Sequence, residues 1–444
     1  MKSLQILLTL LHLPLLAQAQ EGWTLHECLE YALQNNIQIQ KSIVSEQKGE
    51  VSLNQYKAQL LPTLSFATTQ SLGYRPFQES SAIVQDGQVT AITKKVTGQG
   101  TYGLNASWTV WNGGANRMNV KNQEIENQIS SLSTEITGLS IQEEIAKLYV
   151  AILYTSEAEK VAEQLAETAK KQWERGQALY ENGQMAKAEV TTLEAQYSNA
   201  RYDVVNSRTQ IANYKRQLKA LLELDLNTAF DITGQEPTDD QVMQPLPSAQ
   251  SVFEQAMSTR PEIRSALLSI DAATLKEKIE KAGYQPTVTL NGGIGDSHST
   301  GSSVAYGQQM KRNLNGSLGV TISVPIFDQQ RVRSAVEKAR LSKTDSQLDL
   351  MDQRNKLSSV IEDYWLNATT NQQRYLAARS AAQSQRESYN QLNEQFKEGL
   401  KNVVELLQGR DNLLNAEQKL LESKYNALLY AQLLKFYAGA EIDM

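Results

Sequence analysis

Val190, Tyr197, Val204, Ile211 and Leu218 recur every seven residues, and a shift of 216 positions carries them onto Leu406, Leu413, Leu420, Ala427 and Leu434. The same shift takes Tyr180 to Phe396, Gly183 to Gly399, Glu189 to Glu405 and Trp111 to Phe327. Further upstream the shift becomes 224, where Pro62 maps to Pro286 and "ALQNNIQI" to "AMSTRPEI". The chain is one unit written twice, so its fold must be assembled from two similar halves. The difference of eight positions falls between Pro62 and Trp111 and their counterparts.

Seven-residue repeats of this kind are the pattern of coiled-coil packing. Leu407, Leu414, Leu421 and Leu428 back the second run, and Ile141, Ile145, Leu148 and Ile152 step by four, three and four. One face of a helical bundle would explain any single run equally well. None of the nine prolines lies between Pro76 and Pro237 or after Pro325. Because proline breaks helix interiors, the spacing predicts long helices over about 114–180 and 328–396. Each would be roughly 100 Å long if continuous. Shorter helices are predicted over 24–61, 187–223, 248–285 and 402–438.

Residues 1–19 carry Lys2, an apolar run and Ala17-Gln18-Ala19, the pattern of a secretory signal peptide, so the mature chain is expected to begin at Gln20. The formal charge of −6 becomes −7 without Lys2, which speaks against a nucleic-acid partner. Cys28 is the single cysteine and falls on an apolar helical face, where packing explains it. His26 and His298 give no metal-ligand spacing. "GGIGDSHSTG" is glycine-rich but lacks the P-loop lysine. No catalytic, cofactor or metal site is therefore expected, and the many glutamates read as solvated helix faces.

Four segments break the helical pattern by alternating with a period of two. They are predicted strands at about 62–74, 99–111, 286–296 and 313–327. Leu64, Phe66, Leu72 and Tyr74 share one side of the first. Leu104, Ala106, Trp108 and Val110 share one side of the second. Val288, Leu290 and Ile294, and then Leu318, Val320 and Ile322, do so in the second copy. The opposite sides are small or polar. A soluble hairpin resting on a core would alternate in the same way. The links within each pair, though, are long and polar, which is the layout of an outer-membrane barrel with external loops. Four strands cannot close a barrel, and an open edge in lipid leaves backbone groups unpaired. The chain must then contribute its strands to a dimer or a trimer.

With these features in hand, the chain resembles the TolC-like outer-membrane efflux proteins along essentially its whole mature length. The carriers are "TLHECLEYALQNN", "LLP", "WTVWNGGANR", "SVPIFDQQRVR", and the glycine turns "YENGQMAKAEV" and "FKEGLKNVVEL". The resemblance implies a mixed fold, a membrane β-barrel plus an α-helical barrel. In it, four strands per chain join a 12-stranded barrel in a homotrimer, above a periplasmic tunnel of coiled-coil helices. It implies two repeats, 20–235 and 248–444, with the linker 236–247 in a belt around the tunnel's middle. It also implies docking to a periplasmic adaptor and an inner-membrane transporter, with outer-membrane lipid around the barrel. Some family members carry an N-terminal lipid on cysteine; Gln20 stands at that place, so no such anchor is expected.

The same resemblance places the gate and the adaptor contact at the two glycine turns. Tyr180, Gly183, Phe396 and Gly399 are then tip residues, and Glu189, Lys401, Glu405 and Gln408 line the periplasmic entrance. Gln408 departs from the acidic residue often found there. A glutamate at a helix start is equally what the helix dipole favours. Trp108 suits an interfacial aromatic girdle, whereas Trp111 is expected on the opposite face, at the junction of strand and helix. The reading is a trimeric export duct of a tripartite efflux or type I secretion system. The alternatives are a periplasmic or surface coiled-coil trimer without a pore and, less compatible with the strands, an adaptor.

Overall fold

The computed structural model describes residues 22–77, 81–85, 88–92, 95–234, 236–302 and 304–443. The expected leader and Gln20 lie outside the described residues. The helices are α1 (Leu25–Asn35), α2 (Ile37–Ala58), α3 (Ala115–Glu181), α4 (Lys187–Leu221), α5 (Asp239–Val242), α6 (Ala249–Thr259), α7 (Pro261–Lys281), α8 (Tyr306–Asn313), α9 (Arg331–Lys397) and α10 (Val403–Tyr437). The strands are β1 (Thr63–Tyr74), β2 (Ser81–Gln85), β3 (Gln88–Ile92), β4 (Val96–Asn112), β5 (Thr287–Ser299) and β6 (Asn315–Ser323). The long helices α3 and α9 have 67 residues each, and α4 and α10 have 35 each, so the duplication is visible in the lengths.

Residues 24–61 and 248–285 each form two helices rather than one. The breaks fall at Asn36 and Arg260, which are equivalent under the 224-residue shift, and both are buried and extended, with ψ of 127° and 129°. The two copies reach the same break by different chemistry. Asn36 caps α2, its Oδ1 accepting from the Gln38 and Ile39 amides at 2.8 and 3.4 Å. In the second copy Pro261 opens α7 and excludes the residue before it from the helical region. Asn36 Nδ2 also donates to the Leu221 carbonyl at 2.8 Å. Arg260 instead lays its guanidinium 4.2 Å from the ring centre of Tyr437, the counterpart of Leu221.

The chain divides into two compact units. The first comprises residues 22–41, 134–261 and 354–443. Its main core gathers Leu25, Cys28 and Ala32 of α1 with Ile145 and Ile152 of α3, Leu218 of α4, and Leu433 and Leu434 of α10. Cys28 is fully buried, and burial pushes its thiol up to about 12, as for a packing residue. The second unit, 42–133 and 262–353, holds an antiparallel sheet in the order β1-β4-β5-β6. Thus β4 and β5, from different repeats, lie side by side in its centre.

The strand predicted at 313–327 is shorter, because Pro325 has no amide to give the ladder and α8 occupies the residues before Asn315. The links read as loops contain the β2–β3 hairpin and α8, each too short for a hydrophobic period to be read across a full window. Where β4 passes into α3, Gly113 and Gly114 take left-handed φ of 68° and 81°. Their counterparts Gln329 and Gln330, before α9, take φ of 56° and 63° without being glycine. The duplication preserved the backbone turn while the side chains changed.

Candidate functional site

Two regions concentrate the residues singled out above: the sheet's apolar face and the ends of the helical hairpins. In the sheet, Phe66 lies opposite Leu104 and Leu104 opposite Ile294. Two rows along on the same face, Trp108 faces Leu290 and Leu290 faces Val320. Phe66, Ile294, Leu318 and Val320 are exposed in the single chain. On the other face Ser107 Oγ donates to Asn291 Oδ1 at 3.0 Å, and Asn291 Nδ2 donates to Thr321 Oγ1 at 3.2 Å. A polar ladder thus backs an apolar sheet surface.

Trp108 donates its indole N–H to the Leu60 carbonyl at 2.9 Å, anchoring it where the chain enters β1. Trp111 is placed differently from the sequence reading. A bulge between Thr109 and Trp111 leaves Val110 out of the ladder and puts Trp111 opposite Val288. Val288 shares its face with Leu290, so Trp111 lies on the same apolar face as Trp108. One extra residue reversed the alternation.

At the tips, Gly183 and Gly399 adopt left-handed φ of 72° and 75° and end α3 and α9. Gly183 donates to the Tyr180 carbonyl and Gln184 to that of Leu179; Gly399 and Leu400 repeat this on Phe396 and Gln395. This is the paired bonding of a Schellman stop. Tyr180 is exposed, whereas Phe396 is half-buried against a cluster containing Leu165, Tyr389, Leu406 and Leu413. Glu189 is exposed in the first turn of α4.

The structure joins Lys401 to Glu405, Nζ to Oε1 at 2.6 Å. Glu405 also accepts from the Asn402 amide at 3.2 Å, and Asn402 Oδ1 accepts from the Glu405 amide at 3.0 Å, a capping box that opens α10. The Lys401 ammonium, helped by that amide, holds the Glu405 carboxyl below its ordinary value. Gln408 is exposed and donates to Asn412 Oδ1 at 3.0 Å.

Sequence reasoning missed what locks the hairpins. Gly176 of α3 faces Leu193 of α4, and a Cβ there would lie 2.7 Å from Leu193 Cδ1. In the second hairpin the pair is exchanged: Leu392 of α9 covers Gly409 of α10, again with 2.7 Å to a Cβ. Leu392 and Gly409 are the 216-residue counterparts of Gly176 and Leu193. Two helix-interior glycines, each opposite leucine in the other copy, were the available signal. The hairpins are tied to each other by Arg175 donating to the Lys397 carbonyl, Gln172 Nε2 to Asn393 Oδ1 at 2.8 Å, and Arg410 Nη1 to the Gln196 carbonyl at 3.3 Å.

Farther from the tips, a polar network sits inside the first unit. Glu143 of α3 accepts from Lys147 Nζ at 2.6 Å, from the Tyr364 hydroxyl, and from the Tyr437 hydroxyl at 3.0 Å. The linker is fastened to α9 and α10 by Asp239 with Arg379 at 2.6 Å and Glu236 with Lys424 at 2.6 Å. Among the described residues no cluster of His, Cys, Asp and Glu has the arrangement of a metal site, and no helix is long and apolar enough to cross a membrane.

Residues 28–223 and 252–440, one stretch from each repeat, match the outer membrane efflux protein family. The chain belongs to this family. Over 97% of its length it is 23% identical to outer membrane protein TolC of Escherichia coli, spanning 85% of that protein. It is 22% identical to the alkaline protease secretion protein AprF of Pseudomonas aeruginosa over 66% of this chain, but the match spans only 60% of AprF. The fold is that of the Campylobacter jejuni CmeC outer membrane channel, with a TM-score of 0.77 at 19% identity, covering 95% of this chain and 87% of that one. This outer membrane efflux protein is thus a transport protein of the outer membrane, extending into the periplasm. Its family and neighbours are channel proteins rather than enzymes.

Proposed function

We propose that this efflux protein is a homotrimeric export duct, passing substrates from a periplasmic adaptor and inner-membrane pump to the exterior. The observation that carries this is a sheet of four strands with one apolar face and, among the described residues, two unpaired edges, on β1 and β6. An open edge in hydrocarbon costs several kcal/mol for each unsatisfied backbone group. Pairing β6 of one copy with β1 of the next closes three such sheets into one 12-stranded barrel, wide enough to leave a passage, and sets the Asn291 ladder in its lumen. The long helices then form the periplasmic tunnel, with the linker in its belt.

The gate in this reading is the ring of Glu405 and Lys401 at the tip, flanked by Gln408 and by Glu189 of the first hairpin. Tyr180, Gly183, Phe396 and Gly399 offer the adaptor its contact. The Lys401–Glu405 bond supports this role in a modified form. Each carboxylate is already partly neutralised within its own chain, so the ring repels anions less than three bare glutamates would. The test is conductance and ion selectivity in a planar bilayer, with heat-modifiable migration to report the barrel. Wild type should conduct and migrate as a heat-sensitive trimer. Glu405→Gln should lower cation selectivity at low salt, an effect that fades as exposed charges are screened within about 10 Å at 0.1 M. A wild-type protein that neither conducts nor shifts on heating would leave only a structural trimer. Unchanged selectivity in Glu405→Gln would put that residue outside the pore.

A further inference from the structure

At the end of the sheet remote from the helices, the apolar face gives way to a small constructed pocket. Beyond the row of Leu104 and Ile294 come Tyr102 opposite Asp296 and then Gly100 opposite His298, all on the same face. The short helix α8 is clamped over this end. Gln309, a buried glutamine, accepts from the Ser299 amide at 2.8 Å and donates to the Ser299 and Val304 carbonyls at 3.1 and 2.6 Å. Asn313 Nδ2 donates to the Ser297 carbonyl at 2.6 Å. The clamp holds the His298 ring between Tyr102, stacked at 5.8 Å, and Tyr306 of α8, edge-on at 4.9 Å. Gly100 is required beneath it, since a Cβ there would lie 2.0 Å from His298 Cε1.

His298 and Arg312 line one cavity of about 470 Å³. His298 Nδ1 itself is buried over Gly100, with no hydrogen-bond partner among the described residues. Held on both faces, the imidazole is a rigid part of the cavity wall that carries one N–H donor in its neutral form. Arg312 brings a guanidinium whose fork fits an oxyanion, and Lys311 precedes it on α8. The one carboxylate on this part of the face, Asp296, is engaged by the Ser297 amide at 2.6 Å.

We propose that this pocket binds a phosphoryl group through Arg312, with the His298 imidazole in the same cavity wall. Its position favours a phosphorylated lipid headgroup of the outer leaflet over free phosphate. The proposal rests on the barrel described above, which turns this face to lipid and this end to the cell exterior. The aromatic collar of Tyr102 and Tyr306 then sits at headgroup depth, where such rings are enriched, and α8 holds its cations just above the apolar band. A bound headgroup would mark the barrel's outer limit and brace the rim beside its external loops.

The test compares wild type with Arg312→Gln and His298→Phe, the second keeping an aromatic ring between the two tyrosines. Binding of bisphosphorylated lipid A, dephosphorylated lipid A and inorganic phosphate to the purified full-length protein is read by native mass spectrometry and titration. Wild type should retain bisphosphorylated lipid A, with each variant weaker by about tenfold or more, the scale of one lost charge-assisted contact. Dephosphorylated lipid A should bind all three proteins equally weakly. Saturation by inorganic phosphate at the same concentrations, lost in both variants, would keep the site and make its ligand the free anion. Equal lipid A retention by all three proteins, or no preference for the phosphorylated form, would overturn the proposal. Bilayer conductance of the same preparations separates the two readings: conducting variants with lost lipid A binding support the pocket, and a non-conducting wild type rejects the barrel on its own account.

Discussion

Gly183 and Gly399 have nothing within 4 Å of where a Cβ would stand, so only backbone conformation reserves them for glycine. Left-handed φ costs an ordinary residue roughly 1–2 kcal/mol. Gly399→Ala should therefore lower stability by about that much in chemical denaturation, and Gly399→Asn by less, while the sheet still assembles. The interior glycines obey the opposite logic, being reserved by a neighbour. Gly409→Leu alone should cost about 1–3 kcal/mol by overpacking against Leu392, and Leu392→Gly alone about 2–5 kcal/mol through the cavity and backbone freedom it introduces. The double exchange recreates the Gly176–Leu193 arrangement of the first hairpin and should restore most of the loss. Strict additivity in that double-mutant cycle would show that the two positions do not face each other. The tip glycines were legible in the sequence because they interrupt heptads. The packing glycines were not, because a helix-interior glycine announces a close approach without saying to what.

Among the elements, α3, α9 and α10 share one acid whose surroundings oppose each other. Burial pushes the Glu143 carboxyl up, but the bonds from Lys147, Tyr364 and Tyr437 outweigh it and hold the group below its ordinary 4.5. A depressed folded value means that this stabilisation is complete above about 4.5 and is lost as pH falls through the lowered value. At neutral pH Glu143→Gln should be less stable by about 1–3 kcal/mol, the worth of hydrogen bonds to a charged group. Melting curves should show the gap closing below pH 4.5, because the wild type alone loses this contribution there. A gap independent of pH would mean that packing, not charge, holds the three helices. Most elements could be read in advance, since heptads and alternation are written by burial itself. Three features escaped. The breaks at Asn36 and Arg260 share no residue type, the β2–β3 hairpin and α8 are too short for a period to be read, and the bulge at Val110 defeats a count that assumes every residue advances the ladder by one. The Lys401–Glu405 contact was legible as a spacing of one helical turn, but its role in the capping box needed Asn402 as well.

For the molecule as a whole, the sheet carries an apolar face that the single chain leaves exposed, and the proposed barrel turns it to lipid. Leu290 and Val320 sit opposite each other on it. Either Leu290→Arg or Val320→Arg should cost about 2–4 kcal/mol near the bilayer midplane and reduce trimer yield in outer-membrane fractions. Normal yield from both would mean that this face never meets hydrocarbon. The order of strands has a consequence in time. β1 and β4 pair across a short link that holds the β2–β3 hairpin, with Tyr74 opposite Val96. β4 and β5 join residues such as Ser107 and Asn291, 184 positions apart. Contacts so distant form slowly, because a long loop must be closed before any of them is rewarded. A chain threaded across the inner membrane from its N-terminus delivers β4 long before β5. Throughout that interval the first repeat carries an unpaired strand into an aqueous compartment. Sheet completion in that order waits on delivery of the second repeat, and until then β4 keeps one edge open.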